Sequence, residues 1–295
     1  MSRSLKPTPR QLARFSRFEM IAHEVVEGYM TGMHRSPYKG FAVEFAEHRQ
    51  YVPGDDLKHL DWKLLGRLNR YYIKQYEEDT SLRAHLLLDA SGSMDYCSGG
   101  QSKFEYGCLI CAILSYVLLQ QQDAVGLLTF DSQIRDRLPP RSAQRQYRAI
   151  VDRLQRATPG QETNLGTVLH RLASMITRRT LIVIVSDFFD DVARISRALT
   201  HFAHKKHEVI VFQVLDRREA TFSFTDLARF DSLEDESAII ADPVRYRREY
   251  RRQFEAHQRE LRRNCHQLRI DYNEMFTDEP VERAMARCLA ERLKQ

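Results

Sequence analysis

The chain has few of the residues that mark disordered, secreted or membrane-spanning proteins. It contains 12 glycines and 9 prolines among 295 residues, too few for a long disordered linker. No apolar run approaches the roughly 20 residues that cross a bilayer. The basic N-terminal segment lacks the apolar stretch and small-residue cleavage site of a signal peptide. We therefore expect a cytoplasmic protein without a membrane span.

The cysteines and histidines offer no site for a soft metal. The five cysteines are odd in number and follow no disulfide-framework spacing. Cys108 and Cys111 form a CxxC pair inside a helical pattern, and a zinc site would need a second ligand pair. We expect both to be small buried helix residues. The 11 histidines include no HxH or HxxxH pair, so we assign them no metal.

The net charge of +5 is modest, and the basic excess concentrates near the C-terminus. Residues 245–263 hold eight arginines and three glutamates, together with an apolar stripe from Tyr250 to Cys265 at spacings of three and four. This pattern predicts an amphipathic helix with an arginine-rich outer face. A solvated face is the preferred interpretation and an acidic partner surface the alternative. No nucleic-acid-binding motif accompanies these arginines, so we expect no nucleic-acid partner.

Strand and helix patterns alternate from residue 83 onward. Apolar runs predict buried strands at 83–89, 124–130, 180–186 and 208–214, with an edge hairpin reaching residue 138. Apolar spacings of three and four predict the helices between them, at 103–121, 147–156, 165–176 and 192–202. Such strands separated by amphipathic helices are typical of a doubly wound, mostly parallel α/β sheet of Rossmann type. We expect one domain of this class at 83–295.

Two regions depart from this alternation. Residues 1–82 are predicted as an N-terminal extension, with an amphipathic helix over 12–29 and strands at 41–48 and 71–78. Residues 216–242 are predicted as irregular or short-stranded, an inserted small β region. The arginine-rich helix, a strand near 269–276 and a helix opened by residues 278–280 complete the chain.

Polar residues follow the predicted strands at the edge where such sheets bind ligands. Asp89, Ser91 and Ser93 follow the first strand, Asp187 follows the third, and Thr163 precedes the 165–176 helix. Two carboxylates and three hydroxyls make an oxygen-only set, which suits Mg²⁺, with Mn²⁺ as the second choice, better than zinc. The plainer alternative is that these polar residues only cap the next turn.

The Asp-x-Ser-x-Ser loop, the later Thr-Asn and the strand-ending Asp resemble the metal-ion-dependent adhesion site of von Willebrand factor A domains. The resemblance covers about residues 83–215. It implies direct coordination by Ser91 and Ser93, and by Thr163 directly or through water. It implies that Asp89 and Asp187 act through water, and that a partner carboxylate fills an open position. One departure is Glu162, where many relatives have glycine.

Residues 34–62 resemble the signature of the bacterial domain-of-unknown-function family 58, which precedes a von Willebrand A-like domain. The signature includes Gly54-Asp55-Asp56 and Asp61-Trp62, with Arg67 beyond. The resemblance implies a role beside a MoxR-type AAA+ ATPase, in protein assembly or metal insertion. For Gly54-Asp55-Asp56 a turn and helix cap is the preferred interpretation, and an acidic docking edge is the alternative.

These residues are consistent with three functions. The first is a non-enzymatic module in which Mg²⁺ docks an acidic residue of a partner, such as a MoxR-type ATPase or its client. The second is a metal-dependent phosphatase. This alternative is disfavoured because phosphoryl transfer would need an acidic residue two positions after Asp89 as general acid or base, and that position is Ser91. The third is a scaffold with an empty site. The chain has neither a phosphate-binding P-loop nor a GxSxG elbow, so we expect no enzyme.

Overall fold

The computed structural model describes residues 43–50, 71–78, 82–160, 164–224, 228–231, 238–241 and 243–292. The chain divides into two compact units, one spanning Arg35–Leu82 and the other containing the residues from Arg83 onward.

The described part of the smaller unit is an antiparallel pair of strands, β1 (Val43–Gln50) and β2 (Tyr72–Glu78). The register shifts between Phe45 and Glu47, which is a β-bulge. Both strands confirm the predictions made from alternating residues. The predicted helix over 12–29 and the remainder of the 34–62 signature lie outside the described residues, as does Arg67.

A six-stranded sheet forms the centre of the larger unit. Its order is β10-β7-β6-β3-β4-β5, and every neighbouring pair is parallel except β4 and β5. Its strands are β3 (Arg83–Asp89), β4 (Ala124–Phe130), β5 (Ile134–Arg141), β6 (Leu181–Ser186), β7 (Glu208–Leu215) and β10 (Asp271–Phe276). The predicted α/β class and the edge hairpin are therefore confirmed, and the topology is compatible with a Rossmann-like fold.

Helices cover both faces of this sheet. The described residues contain seven α-helices, namely α1 (Lys103–Gln120), α2 (Arg145–Arg156), α3 (Leu165–Met175), α4 (Val192–His204), α5 (Arg217–Thr221), α6 (Pro243–Gln267) and α7 (Val281–Arg292). Buried residues of α3, α4 and α6 cluster with alternate strand residues such as Leu87 and Ile184. Leu88 points to the opposite face, where it lies against α1. A Cβ added at Gly107 of α1 would come within 2.9 Å of Leu88 Cδ1, so the glycine permits this close approach.

The most apolar helix is α1, which is the central helix of its face. It is the one described helix long and apolar enough to cross a membrane, with a mean hydropathy of 1.3, and 78% of it is buried within the fold. Cys108 and Cys111 lie on it as free buried thiols, as predicted. Burial raises the pKa of the Cys111 thiol well above its usual value.

The described residues between 216 and 242 confirm the predicted small β region and add a short helix to it. It begins with the short helix α5, and its described residues then form an antiparallel pair, β8 (Ala228–Asp231) and β9 (Ala238–Ala241). The predicted arginine-rich helix corresponds to α6, which is 25 residues long. Leu261 and Cys265 of its apolar stripe are fully buried, so this part of the pattern does face the core.

Candidate metal centre

Two adjacent parallel strands bring aspartates to the same edge of the sheet, since Asp89 ends β3 and Asp187 follows β6. Leu88 of β3 pairs with Val185 of β6, so Asp89 and Ser186 emerge side by side. Asp89 is fully buried. Ser186 Oγ donates to Asp89 Oδ2 at 2.6 Å, and the backbone N–H of Ser91 donates to Asp89 Oδ1 at 2.9 Å. Both oxygens of this carboxylate are therefore oriented by the protein.

The loop after β3 brings two hydroxyls together. Ser91 Oγ and Ser93 Oγ are 3.1 Å apart, and a 3-10 helix starts between them and runs over Gly92–Asp95. The loop is fixed through Ala90, whose N–H donates to Phe130 O at 2.7 Å and whose carbonyl accepts from Gly160 N–H at 2.5 Å. Backbone hydrogen bonds to neighbouring elements thus hold the hydroxyls in place.

Asp187 does not stand free at the edge of the sheet. Its Oδ2 lies 2.8 Å from Lys103 Nζ, and its Oδ1 accepts from the N–H of Phe189 at 3.2 Å. The backbone carbonyl of Asp187 accepts from Gln213 Nε2 on β7 at 2.8 Å. The second predicted carboxylate is therefore ion-paired within the chain.

Lys103, the first residue of α1, contacts a third carboxylate as well. Its Nζ is 2.8 Å from Oε2 of Glu219, which lies on α5. The position of α5 is fixed by Asp216, whose Oδ1 accepts from Arg218 N–H and from Ser98 Oγ. The cluster thus joins the end of β6, the start of α1 and the short helix α5.

Burial shifts the protonation equilibria of this cluster. Burial and the nearby charge of Asp187 raise the pKa of Asp89 to about 7. Burial also raises the pKa of Glu219 to about 7, although Lys103 acts in the opposite direction. Burial lowers the pKa of Lys103, but Asp187 and Glu219 outweigh it and bring this pKa to about 12. The lysine is therefore charged at neutral pH, and its single positive charge does not balance all the carboxylates of the cluster.

The backbone after Asp187 is in an unusual conformation. Phe188 has a φ of 59° and a fully buried side chain, although bulky residues rarely adopt this left-handed region. Its N–H donates to Ser186 Oγ at 3.0 Å, and its carbonyl accepts from His257 Nε2 of α6 at 3.0 Å. Strain of this kind persists where surrounding contacts impose it, and it is concentrated at functional sites.

The structure brings together four of the five predicted ligands. Asp89, Ser91, Ser93 and Asp187 lie at one edge, whereas Thr163 lies outside the described residues. Among the described residues, no group of three His, Cys, Asp or Glu side chains could hold a metal. The donor set nevertheless fits a hard cation held by hydroxyls, because the aspartates are engaged in protein hydrogen bonds and can reach an ion through water.

The family to which the chain belongs follows from its sequence. A family described as "Protein of unknown function DUF58" matches residues 47–264. The chain is a member of the DUF58 family. The match begins inside the predicted N-terminal signature and extends through five of the six strands of the sheet into α6, so it includes every described residue of the candidate centre.

Curated relatives of this DUF58 protein occur in mycobacteria. The uncharacterized protein Rv1480 of Mycobacterium tuberculosis is 25% identical over 216 residues, which cover 72% of this chain and 67% of the relative. The uncharacterized protein Mb1516 of Mycobacterium bovis matches with the same identity and coverage.

Solved structures with a related arrangement are more distant. A conserved hypothetical protein, BatB from Bacteroides thetaiotaomicron, is 16% identical, with a TM-score of 0.46 over 72% of this chain and all of that one. An aerotolerance-related membrane protein from Bacteroides fragilis is 17% identical, with a TM-score of 0.47 and the same coverage.

Sequence analysis missed three residues of this centre, namely Lys103, Ser186 and Glu219. A lysine at the start of an apolar helix was a usable signal, since cations are disfavoured at helix N-termini. Ser186 is the last residue of a predicted strand, and the strand pattern gives it no role at the site. Glu219 gave no signal, because α5 has five residues and no apolar periodicity.

Proposed function

We propose that this DUF58 chain is a metal-dependent protein interaction module of von Willebrand factor A type. In this proposal Ser91 and Ser93 hold Mg²⁺, or Mn²⁺ in its place, together with Thr163, while Asp89 and Asp187 act through water. The bound ion would supply a position for an acidic side chain of a partner. A MoxR-type AAA+ ATPase, or its client, is the partner that we propose.

One observation carries the proposal: a buried carboxylate pair stands beside two hydroxyls whose oxygens are 3.1 Å apart. Buried carboxylates are costly unless they are paired with cations or fully hydrogen-bonded. A divalent cation would offset that cost, and it would favour the charged form of Asp89, whose pKa burial otherwise raises to about 7. The ligand set and its electrostatics thus support the same kind of ion.

Basic side chains beside the loop favour an acidic partner. A cleft of about 380 Å³ is lined by Ala90 of the loop, by three arginines and by two aspartates, namely Arg135, Arg153, Arg156, Asp136 and Asp152, so the charged side chains of its lining sum to one positive charge. The side chain of Arg156 is 72% exposed, and its nearest carboxylate oxygen, from Asp152, is 3.8 Å away. Positive charge at such a cleft would steer an acidic surface toward the metal.

We propose binding rather than catalysis. The residue two positions after Asp89 is Ser91, and its hydroxyl is hydrogen-bonded to Ser93. A serine hydroxyl in this position does not supply the general acid or base that phosphoryl transfer would need.

Calorimetric titration of Mg²⁺ into the full chain tests the proposal. We expect one site in the wild-type protein and no binding by Asp89→Ala. The matched control is Glu255→Gln, which removes an exposed carboxylate of α6 and is expected to bind as the wild type does. Equal Mg²⁺ binding by wild type and Asp89→Ala would refute the proposal.

A further inference from the structure

Lys103 is the feature of the site that the proposed function leaves unexplained. It is the first residue of an 18-residue helix, and its side chain is 0% exposed. The helix dipole opposes a positive charge at this end, and transfer of an ammonium from water into the fold is costly. A lysine that only covered the helix end would keep its ammonium in water. The buried position therefore needs specific partners.

Those partners surround the ammonium on three sides. Nζ is 2.8 Å from Asp187 Oδ2 at the end of β6 and 2.8 Å from Glu219 Oε2 on α5. The ring of Phe189 lies beneath it, with its centroid 4.7 Å from Nζ, in cation–π geometry. The charge is thus held at one point, beside the carboxylate that the proposed metal site shares.

The charges of the cluster do not balance. Among the described residues, Lys103 is the cation that pairs with Asp187 and Glu219, and Asp89 has no ion pair. When Asp89, Asp187 and the partly exposed Glu219 are all ionised, the single ammonium leaves two negative charges uncompensated, which is the charge that one divalent cation would balance. Without the lysine, three negative charges would face the ion.

We propose that Lys103 is a tethered cation that shares Asp187 with the divalent metal and sets how tightly the metal binds. This inference rests on the proposed function, because it concerns the same site. A metal near Asp187 meets a fixed positive charge 2.8 Å from that carboxylate, so the lysine lowers metal affinity. It also neutralises part of the cluster when no metal is bound.

The substitution Lys103→Met tests the proposal, since methionine keeps a long unbranched side chain without the charge. In calorimetry with Mn²⁺ as the probe, we expect a Kd at least about tenfold lower than that of the wild type. We also expect a lower melting temperature without metal and a larger Mn²⁺-induced rise. The control Lys205→Met removes an ammonium that bonds the carbonyls of Ala173 and Ser174, and should match the wild type in affinity and in that rise.

The outcomes separate this inference from the proposed function. Wild-type Mn²⁺ binding tests the proposed function, and the difference between wild type and Lys103→Met tests the lysine. Equal or weaker binding by Lys103→Met would overturn the inference and leave the proposed function standing. Binding by Lys103→Met alone would support the inference, while the proposed function would fail for the natural chain. Absence of binding in both would overturn both.

A second pair of variants applies if Lys103→Met does not fold. Glu219→Gln keeps the lysine, and the double variant Lys103→Met/Glu219→Gln removes the lysine without leaving Glu219 unpaired. We expect the double variant to bind Mn²⁺ at least about tenfold more tightly than Glu219→Gln. Equal affinity in this pair would overturn the inference as well.

Discussion

The two ends of strands β3 and β6 bury different kinds of polar group. At the carboxyl end lie Asp89 and Asp187, both buried, with the ammonium of Lys103 between Asp187 and Glu219. At the amino end lie His85 and Thr180. Burial, and next the charge of Arg137, lower the pKa of His85 to about 4, so this histidine is neutral at pH 7. The same strands thus bury charge at one end and neutral groups at the other.

This difference indicates where the protein departs from what stability alone would select. Neutral buried groups require only hydrogen bonds, whereas buried charges require opposite charges nearby. The Thr180 hydroxyl at the amino end simply donates to the carbonyl of Arg83. The carboxyl end retains three carboxylates and one ammonium that a purely structural edge does not need. This difference supports the proposed function at that end.

The largest expected effect compares two lysines at opposite ends of the sheet. Lys103→Met should destabilise the metal-free protein by about 3–5 kcal/mol, because it leaves buried carboxylates unpaired. Lys205→Met should cost only about 1 kcal/mol, because Lys205, which follows α4, bonds neutral carbonyls at the end of α3. Urea unfolding with a chelator present measures both. Similar losses would mean that the two ends do not differ in buried charge.

A pH titration of stability tests the amino end. The folded-state pKa of His85 is about 4, below its ordinary value of 6.5, so the unfolded chain binds more protons in between. The contribution of His85 to stability should therefore be complete above pH 6.5 and be lost as the pH falls toward 4, by up to about 3 kcal/mol.

His85→Leu should remove this part of the pH dependence. His266→Gln, at an exposed position of α6, should retain it. Urea unfolding at several pH values between 4 and 7 measures the slope for each variant. If the unfolding free energy of His85→Leu changed with pH as that of the wild type does, the amino end would tolerate charge. The two ends of β3 and β6 would then not differ as we describe.

The smallest effect compares two hydroxyls at the ends of β6. Ser186→Ala removes the 2.6 Å hydrogen bond to Asp89 Oδ2 and should cost about 2 kcal/mol, because the acceptor is a buried carboxylate. Thr180→Val removes a bond to a neutral carbonyl and should cost about 1 kcal/mol. Chemical denaturation of the two variants side by side decides this, and a greater loss from Thr180→Val would reverse the expected order.

Most elements of the larger unit could be predicted because their patterns are local. The run from Arg83 to Asp89 and the spacing of apolar residues through α4 depend only on neighbouring residues, and the structure reproduces both. The short helix α5 could not be predicted, since its five residues carry no periodicity and its cap is the side chain of Asp216.

Some residues of the candidate centre could likewise be predicted from the sequence, and others could not. The order of the strands brings Asp89, Ser91 and Asp187 to one edge, and their positions at strand ends were visible in the sequence. The ion pairs of Lys103 were not, because they join residues 84 and 116 positions apart in the chain. Contacts of that kind depend on how the helices pack on the sheet, and a local sequence pattern does not predict that packing.

Anomalous diffraction from crystals soaked in Mn²⁺ tests the central claim most directly. We expect one peak at about 2.1 Å from the hydroxyl oxygens of Ser91 and Ser93, since hard divalent cations bind oxygen near that distance. The peak should be absent from crystals of Ser91→Ala/Ser93→Ala soaked in the same way. A wild-type crystal with no peak between these hydroxyls and the two aspartates would contradict the account.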